Sequence, residues 1–190
     1  KFRAEAYGFK LEHYWAGEYP TLANFERVLR SRGIRGLLVS PNIEIDGLAD
    51  FNFSDFSAVL VATNYAGQEL HRVQANYFEA MREVYLKLLK RGYRRIGLVL
   101  ERLTDSNSAY FWSAGYLVEQ NHATEAGLQA IPICRTVSKQ AIGDWLKTEK
   151  PDVVIMDINL PDMDGIQATT RVLKMRPATA VITMSVQESP

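Results

Sequence analysis

Short runs of consecutive apolar residues alternate along this chain with longer segments in which apolar residues recur every three or four positions. The short runs predict β-strands at residues 9–16, 34–40, 58–63, 95–100, 128–134, 153–157 and 179–185. The longer segments predict amphipathic helices at residues 21–32, 73–91, 106–120, 139–148 and 166–175. This order of elements is typical of βα units that build a parallel sheet.

Residues that favour helix ends and turns mark several of these boundaries. Gly33 and Gly92 follow two predicted helices in the position that glycine favours, and Ser138 precedes a third as an N-cap. The pattern forms two series of similar rhythm. We therefore predict an α/β fold of two Rossmann-like or flavodoxin-like lobes with parallel sheets, comprising residues 1–93 and 94–190.

Composition narrows the classes of function. Lys and Arg total 22, as do Asp and Glu, and no long basic run is present, so the chain by itself is not expected to bind nucleic acid. No apolar stretch is long enough for a membrane span. The single cysteine, Cys134, fits a reducing cytoplasm and predicts a small buried residue. The three histidines lie far apart in sequence, which argues against a histidine metal site.

Two motifs in the first three quarters of the chain carry a family resemblance. Residues 32–41 read Arg-Gly-Ile-Arg-Gly-Leu-Leu-Val-Ser-Pro, and residues 88–100 read Leu-Leu-Lys-Arg-Gly-Tyr-Arg-Arg-Ile-Gly-Leu-Val-Leu. With Ala114-Gly115-Tyr116 and the segment 145–155, they resemble the effector-binding part of lactose-repressor (LacI/GalR) family regulators. The resemblance covers residues 1–155. It implies a periplasmic-binding-protein-like fold, a sugar-type effector between the lobes and no enzymatic activity.

The resemblance also implies candidate effector-binding residues. Aromatic rings near strand ends can stack on a sugar while polar neighbours bind its hydroxyl groups. The candidates are Trp15, Asn76, Tyr110 and Trp112. Core packing is the alternative for Trp112, since three consecutive aromatic residues at the start of one helix must bury some of their area. Trp112 also stands where the family often has an arginine, three residues before Gly115.

Parts of the family pattern are absent from the sequence. No helix-turn-helix precedes Lys1, and residues 3–8 resemble the end of the helix that should follow the first strand. We therefore expect an incomplete first lobe with a gap in its hydrogen-bonded ladder. Family members usually form homodimers, but the sequence does not identify an interface.

A motif of a different kind begins at Asp152. An apolar run ends on Asp157, and the sequence continues Ile-Asn-Leu-Pro-Asp-Met-Asp-Gly to Gly165. Residues 151–190 resemble the receiver domains of two-component response regulators. The resemblance implies that Asp157 accepts a phosphoryl group, that Asp157, Asn159 and Glu101 contribute to a Mg²⁺ site, and that Ser185 is the switch hydroxyl. Phosphoryl transfer to a carboxylate requires a cation to neutralise charge.

The receiver pattern is incomplete in this chain. The acidic residues after the equivalent first strand are reduced to Glu101, with Asp105 further along, and the sequence ends before a fifth strand and its lysine. Alternatively, Asp157 is a carboxylate at the end of a strand that takes part in no phosphoryl turnover.

Three hypotheses follow for the whole chain. It is the effector-binding core of a repressor-like regulator, a receiver-like phosphoacceptor module, or an inactive recombinant of two related folds. The two patterns meet at residues 151–155, which suit both families. Three origins fit this junction: a designed recombinant of related folds, a natural gene fragment, or a misjoined reading frame.

Overall fold

A computed structural model describes residues 2–40, 50–61, 69–158, 160 and 165–184. The chain divides into two compact units, Lys1–Gln74 and Ala75–Pro190. Each unit contains helices and a parallel sheet, which confirms the predicted α/β class. Among the described residues, no helix combines the length and the apolar character that crossing a membrane requires.

The first unit contains a three-stranded parallel sheet within its described residues. Its elements are α1 (Phe2–Ala6), α2 (Leu22–Ser31), β1 (Gly36–Val39), β2 (Ser57–Val61) and β3 (His71–Val73). The sheet order is β1–β2–β3, with Val39 opposite Leu60 and Val61 opposite Val73. The side-chain oxygen of Thr21 accepts a hydrogen bond from the Asn24 amide and so begins α2 where the sequence predicts it.

The core of the first unit lies on one face of this sheet. Phe25 and Leu29 of α2 pack with Phe51 and Phe53 from the segment before β2. Side chains of β1 and β2 that point to this face join the cluster, as Leu37, Val39 and Ala58 do. The opposite face carries exposed apolar residues: Leu38 is 66%, Val61 45% and Val73 60% exposed.

The second unit is larger and alternates helices with strands. Its elements are α3 (Tyr77–Lys90), β4 (Ile96–Val99), α4 (Arg102–Asn107), α5 (Phe111–Glu125), α6 (Lys139–Glu149), β5 (Val153–Asp157), α7 (Gly165–Met175) and β6 (Ala180–Met184). The strands are parallel in the order β4–β5–β6, and Cys134 adds a single parallel bridge to Val99 on the outer side of β4.

Both faces of the second sheet are covered. Alternate residues such as Leu98 and Ile155 pack against α3 and α5, where they meet Met81 and Tyr116. The residues between them, such as Val154, pack against α6 and α7 in a second cluster. Every residue of β4 and β5 is buried, as expected for a parallel sheet between two helical layers.

Helix α3 belongs to the second unit because it packs closely on α5. The contact requires Gly115, since a Cβ added there would lie 2.5 Å from the Phe78 carbonyl oxygen. Buried Glu119 accepts a hydrogen bond from Nε of Arg82 on α3 at 2.6 Å. The compact units therefore divide after residue 74, whereas the sequence predicts lobes that divide after residue 93; that lobe assignment stays a prediction.

Two predicted strands differ in the structure. The prediction of a strand at residues 9–16 is wrong: residues 9–15 have no regular structure, and Phe9 and Leu11 are exposed. The predicted strand at residues 128–134 is reduced to the bridge at Cys134. Side chains replace the ladder there, because the Tyr116 hydroxyl and the Gln120 amide both donate to the Ile131 carbonyl.

Two predicted helices also change. Residues 71–73 form strand β3, and the helix predicted from residue 73 begins at Tyr77 after the N-cap Asn76. The helix predicted at residues 106–120 is split into α4 and α5. The break falls at Ala109 and Tyr110, which both have positive φ angles and so cannot continue a right-handed helix.

Candidate effector and phosphoacceptor site

The carboxyl ends of the second unit's strands bring several polar side chains to one edge of the sheet. Glu101 follows β4, Arg135 follows the bridge at Cys134, and Asp157 is the last residue of β5. The register pairs Val99 with Met156 and Asp157 with Met184, so these strand ends lie side by side. This is the edge at which open α/β sheets bind ligands.

Asp157 is buried at the end of β5, and the backbone around it is tightly held. The Ile158 amide donates to the Met184 carbonyl at 3.0 Å, and the Gly165 amide donates back to the Ile158 carbonyl at 3.1 Å. A Cβ at Gly165 would lie 2.5 Å from the Ile158 Cα and 2.9 Å from the Asp157 carbonyl oxygen. Only glycine fits at the start of α7, which explains its place in the sequence motif.

Glu101 acts as the N-cap of α4. Its Oε2 accepts hydrogen bonds from the amides of Leu103 at 2.6 Å and Thr104 at 3.0 Å. A capping carboxylate satisfies two donors at the positive end of a helix. The structure therefore gives Glu101 a local structural function that the sequence did not predict.

Asp105 and Arg135 form a buried ion pair at the same edge. The Asp105 carboxylate is fully buried, and its Oδ2 accepts from Nη1 of Arg135 at 2.6 Å while Oδ1 accepts from the Ser113 amide at 3.2 Å. Arg135 keeps 24% of its side chain exposed. Removal of Arg135 would leave the buried Asp105 carboxylate without its counterion, which costs about 3–5 kcal/mol.

The backbone between α4 and α5 is strained beside this ion pair. Ala109 and Tyr110 adopt left-handed conformations at φ 52° and 63°. The Tyr110 amide and the Ser108 hydroxyl both donate to the Asp105 carbonyl at 2.8 Å, which holds the turn in place. Such strain costs about 1–3 kcal/mol per residue and is often stored at functional sites. Here it leaves the Tyr110 ring exposed near the sheet edge.

The described acidic residues do not assemble the donor set that Mg²⁺ needs. Within residues 2–40, 50–61, 69–158, 160 and 165–184, no three His, Cys, Asp or Glu side chains come together as a metal site. The Glu101 carboxylate caps α4 and the Asp105 carboxylate pairs with Arg135. Two of the residues implied by the receiver resemblance, Asn159 and Ser185, lie outside the described residues.

The effector-binding residues predicted from sequence have different environments. Trp112 is buried, and its ring packs on Tyr77 with centroids 4.8 Å apart, as the core-packing alternative expects. The Asn76 side chain caps α3 by accepting from the Glu79 amide at 3.1 Å. Trp15 is half-buried in the first unit, next to a short 3₁₀-helix. Their role in effector binding stays a prediction.

The ion pair of Asp105 and Arg135 is the feature that sequence reasoning missed. Asp105 stands in a segment predicted as a connection, and Arg135 follows a predicted strand by one residue. A charged residue just after a strand of a parallel sheet was the available signal, as it was for Asp157. The pairing itself depends on the left-handed turn, which nothing in the sequence marks with glycine.

Comparison with known sequences finds similarity in the C-terminal part of the chain. Residues 121–190 match the family model of the response regulator receiver domain, thirty residues earlier than the start that the sequence motif suggests. A protein-glutamate methylesterase/protein-glutamine glutaminase from Archaeoglobus fulgidus is 34% identical over 62 residues, which is 33% of this chain and 17% of that protein. The chain spans only 11–19% of the length of the curated relatives that it matches.

Comparison of folds gives a second relationship that extends over nearly the whole chain. A LacI-family regulatory protein from Chloroflexus aggregans has a TM-score of 0.65 and 15% identity, covering 96% of this chain and 68% of the other. A sugar-binding LacI-family transcriptional regulator from Escherichia coli, complexed with phosphate, has a TM-score of 0.57 and 14% identity, covering 98% and 70%.

These comparisons confirm the fold and both resemblances. The chain has the periplasmic-binding-protein-like α/β fold of LacI-family regulators, and its last third resembles a receiver domain. The similar structures are transcription regulators rather than enzymes. At 14–15% identity the likeness concerns the fold alone.

Proposed function

We propose that the chain is the effector-binding core of a LacI-type transcription regulator and that its effector is a sugar-type small molecule. The observation that carries this proposal is the fold similarity to a LacI-family protein over 96% of the chain. A sugar-binding regulator with the same fold supports the class of ligand. The receiver-like segment takes part in this fold by supplying β5 and β6 of the second sheet.

The carboxyl edge of the second sheet offers suitable chemistry for such a ligand. Nη1 of Arg135 binds Asp105, and the other guanidinium donors make no hydrogen bond to another described residue. Those donors are suited to the hydroxyl and ring oxygen atoms of a sugar. The exposed ring of Tyr110, held by its strained turn, would provide an apolar face for stacking.

The test is a calorimetric and thermal-shift titration of the whole chain with a panel of pentoses and hexoses. We expect one sugar to release heat and raise the melting temperature, because a ligand that binds only the folded state stabilises it. Arg135→Gln should abolish the heat of binding. Arg102→Gln is the matched control, since Arg102 is an exposed arginine on α4. The absence of binding by every sugar in the panel would contradict the proposal.

A second candidate function is phosphoacceptance at Asp157. The receiver family match and the glycine-dependent packing around Asp157 favour it. The described acidic residues do not form the expected cation site, which ranks this function second. Incubation with a labelled acyl phosphate and Mg²⁺ tests it. Labelling that is lost in Asp157→Ala and kept in the control Asp144→Ala would support it, and no labelling of the parent chain would reject it.

A recombinant without retained activity is the remaining alternative. It predicts a cooperative thermal transition that neither sugars nor Mg²⁺ with beryllofluoride shift. Thermal melts with the sugar panel and with Mg²⁺ plus beryllofluoride therefore separate all three hypotheses.

A further inference from the structure

An open cavity lies in the first unit at the amino ends of β1 and β2, which is the end of a parallel sheet opposite to its usual ligand-binding edge. Its volume is about 670 Å³, within the range of about 300–1,000 Å³ for small-molecule pockets. Half-buried Ile34 and Phe56 contribute apolar surface to its lining. We call it the arginine cavity, because the exposed side chains of Arg30 and Arg35 line it as well.

Short local contacts place the residues of the arginine cavity. The Ser57 amide donates to the Arg35 carbonyl at 2.8 Å, which joins the residue before β1 to the first residue of β2. The Phe56 amide donates to the Phe53 carbonyl at 2.9 Å and so forms the turn before β2. The Arg30 guanidinium, near the end of α2, lies over the Phe56 ring at 5.7 Å from its centroid. The cavity is therefore built by the ends of α2, β1 and β2 together.

Arg30 engages both carboxylates that lie beside it. Its Nη1 pairs with Oδ2 of Asp55, and its Nε donates to Oε1 of Glu26 at 3.0 Å. The Arg35 guanidinium, in contrast, makes no hydrogen bond or ion pair with a residue in the described part of the chain. An arginine side chain carries a full positive charge and five N–H donors. Arg35 is therefore the cation of this cavity that is left for an anionic ligand.

The end of α2 beside the cavity does not present free carbonyl groups to a ligand. The carboxyl end of a helix carries partial negative charge on its unsatisfied carbonyls, which would oppose an anion. Here the Gly33 amide donates to the Arg30 carbonyl and the Ile34 amide donates to the Leu29 carbonyl, both at 3.0 Å. These bonds reduce the negative potential of the helix end, so the charged side chains dominate the electrostatics of the cavity.

We propose that the arginine cavity binds the phosphoryl group of a small phosphate monoester, with Arg35 as the main ligand-binding residue. A phosphoryl group presents three terminal oxygen atoms, and three side chains of the lining carry donors for them: the Arg35 guanidinium and the hydroxyls of Ser54 and Ser57. A carboxylate presents only two oxygen atoms. Because the cavity is larger than a phosphoryl group, Ile34 and Phe56 provide apolar surface for the rest of the ligand.

This cavity and the proposed effector site belong to different parts of the chain. The arginine cavity is formed within Lys1–Gln74, whereas Arg135 and Tyr110 belong to the second unit. Phosphate binding to the cavity can therefore be measured whether or not a sugar binds to the chain.

A titration of the whole chain with inorganic phosphate, followed by two-dimensional NMR at constant ionic strength, tests the proposal. We expect saturable shifts of the Arg35 Nε–Hε signal and of the amide signals of residues 54–57. Arg35→Gln should weaken phosphate binding at least about tenfold, because it removes charge-assisted hydrogen bonds to the anion. Arg27→Gln is the matched control and should leave the affinity unchanged, since Arg27 is an exposed arginine of α2 that donates to Asn24 outside the cavity lining.

Asp55→Asn provides a test with the opposite sign. Asp55 is exposed, and its carboxylate is the negative charge of the cavity lining. The substitution removes repulsion of the anion and releases Nη1 of Arg30, so phosphate should bind about two- to fivefold more tightly. General damage to the fold would weaken binding instead. Far-ultraviolet circular dichroism should be unchanged in all three variants.

Phenyl phosphate and acetate test the class of ligand. Phenyl phosphate should bind more tightly than inorganic phosphate, because its ring can contact the apolar part of the cavity, and acetate should bind more weakly. Shifts that do not saturate, or an Arg35→Gln variant that binds phosphate like the parent chain, would overturn the proposal. Acetate binding as tight as that of phosphate, or phenyl phosphate binding weaker than that of phosphate, would overturn it as well.

Discussion

The two parallel sheets of this chain have the same number of described strands but differ in how they are covered. In the second unit, helices cover both faces, and every residue of β4 and β5 is buried. In the first unit, the described residues cover one face, which packs against α2 and its neighbours, and β3 has no buried residue. A parallel sheet gains most of its stability from the layers on its faces, because its hydrogen bonds contribute little net free energy.

The difference teaches that similar strand sequences can lie in different environments. Leu38 in β1 and Leu98 in β4 both stand inside short apolar runs, yet Leu38 is 66% exposed and Leu98 is fully buried. The same substitution made in each sheet therefore measures how far the helical layers, rather than the strands, stabilise the fold.

Truncation of the two leucines is expected to give the largest contrast. Leu98→Ala should lower the free energy of unfolding by about 2–5 kcal/mol, because it removes buried methyl groups and leaves a cavity. Leu38→Ala should change it by less than about 0.5 kcal/mol. Urea unfolding followed by circular dichroism measures both. Equal losses would mean that the exposed face of the first sheet is covered in solution.

Replacing a strand glycine with valine compares the two sheets by adding side-chain volume instead of removing it. A Cβ at Gly97 in β4 would collide with the ring of Trp145, which the Pro132 carbonyl holds by a hydrogen bond of 2.8 Å. Gly97→Val should therefore destabilise the second unit by about 1–3 kcal/mol through overpacking. Gly36→Val in β1 is the control, because the nearest atom to an added Cβ lies 4.0 Å away. Hydrogen exchange should show faster amide exchange in β5 for the first variant only.

Removal of one hydroxyl group tests the polar part of the second core. The Tyr116 hydroxyl donates to the carbonyl oxygens of Ile96 and Ile131, and burial raises its pKa above the usual range. Tyr116→Phe should cost about 1–2 kcal/mol, because a buried carbonyl loses its donor. Tyr14→Phe in the first unit should cost less than about 0.5 kcal/mol. A melting temperature unaffected by Tyr116→Phe would contradict this cost and would show that the Gln120 amide alone satisfies the Ile131 carbonyl.

High pH should destabilise the second unit first, with the smallest effect of the four. Burial raises the pKa of the Cys134 thiol from 9.0 to about 11 and that of Tyr85 from 10.0 to about 12. Because the folded pKa values are the higher ones, stability is complete below pH 9 and falls as the pH rises through 11. For Cys134 the loss near pH 10 is about 1 kcal/mol.

The matched variant for this pH effect is Cys134→Ala. Its free energy of unfolding should decline less between pH 9 and pH 10 than that of the parent chain. Parallel slopes for the two proteins would contradict the assignment to this thiol.

Much of the second unit could be predicted from its sequence. The run ending at Asp157, the cap at Ser138 and the apolar spacing of α7 are local signals, and the structure has β5, α6 and α7 where they predict them. The failures have non-local causes. Residues 9–16 have a strand-like composition but pair with no strand in the described part of the chain, and the extended segment before Cys134 takes its hydrogen bonds from Tyr116 and Gln120. The hydrophobic pattern of a segment does not show which other segments pack or pair beside it.

The candidate site could be predicted only in part, because some of its features are local in the sequence and others are not. Asp157 follows from its position after a buried strand, which is a local pattern. The capping role of Glu101 and the pairing of Asp105 with Arg135 depend on side-chain geometry around a left-handed turn. Alanine and tyrosine at that turn give no sequence signal, because glycine or asparagine is the usual marker of positive φ.

The place of β5 in the second sheet has a consequence for synthesis on the ribosome. β4 is complete at Val99, but its neighbour β5 begins at Val153, more than fifty residues later. Until the receiver-like segment leaves the exit tunnel, one edge of β4 stays unpaired and the apolar sides of α6 lack their sheet. During synthesis the chain therefore passes through an aggregation-prone intermediate with exposed apolar surface. The time that this intermediate persists depends on the rate of elongation through residues 100–184. A chaperone that binds unfolded chains would have its largest effect during this time.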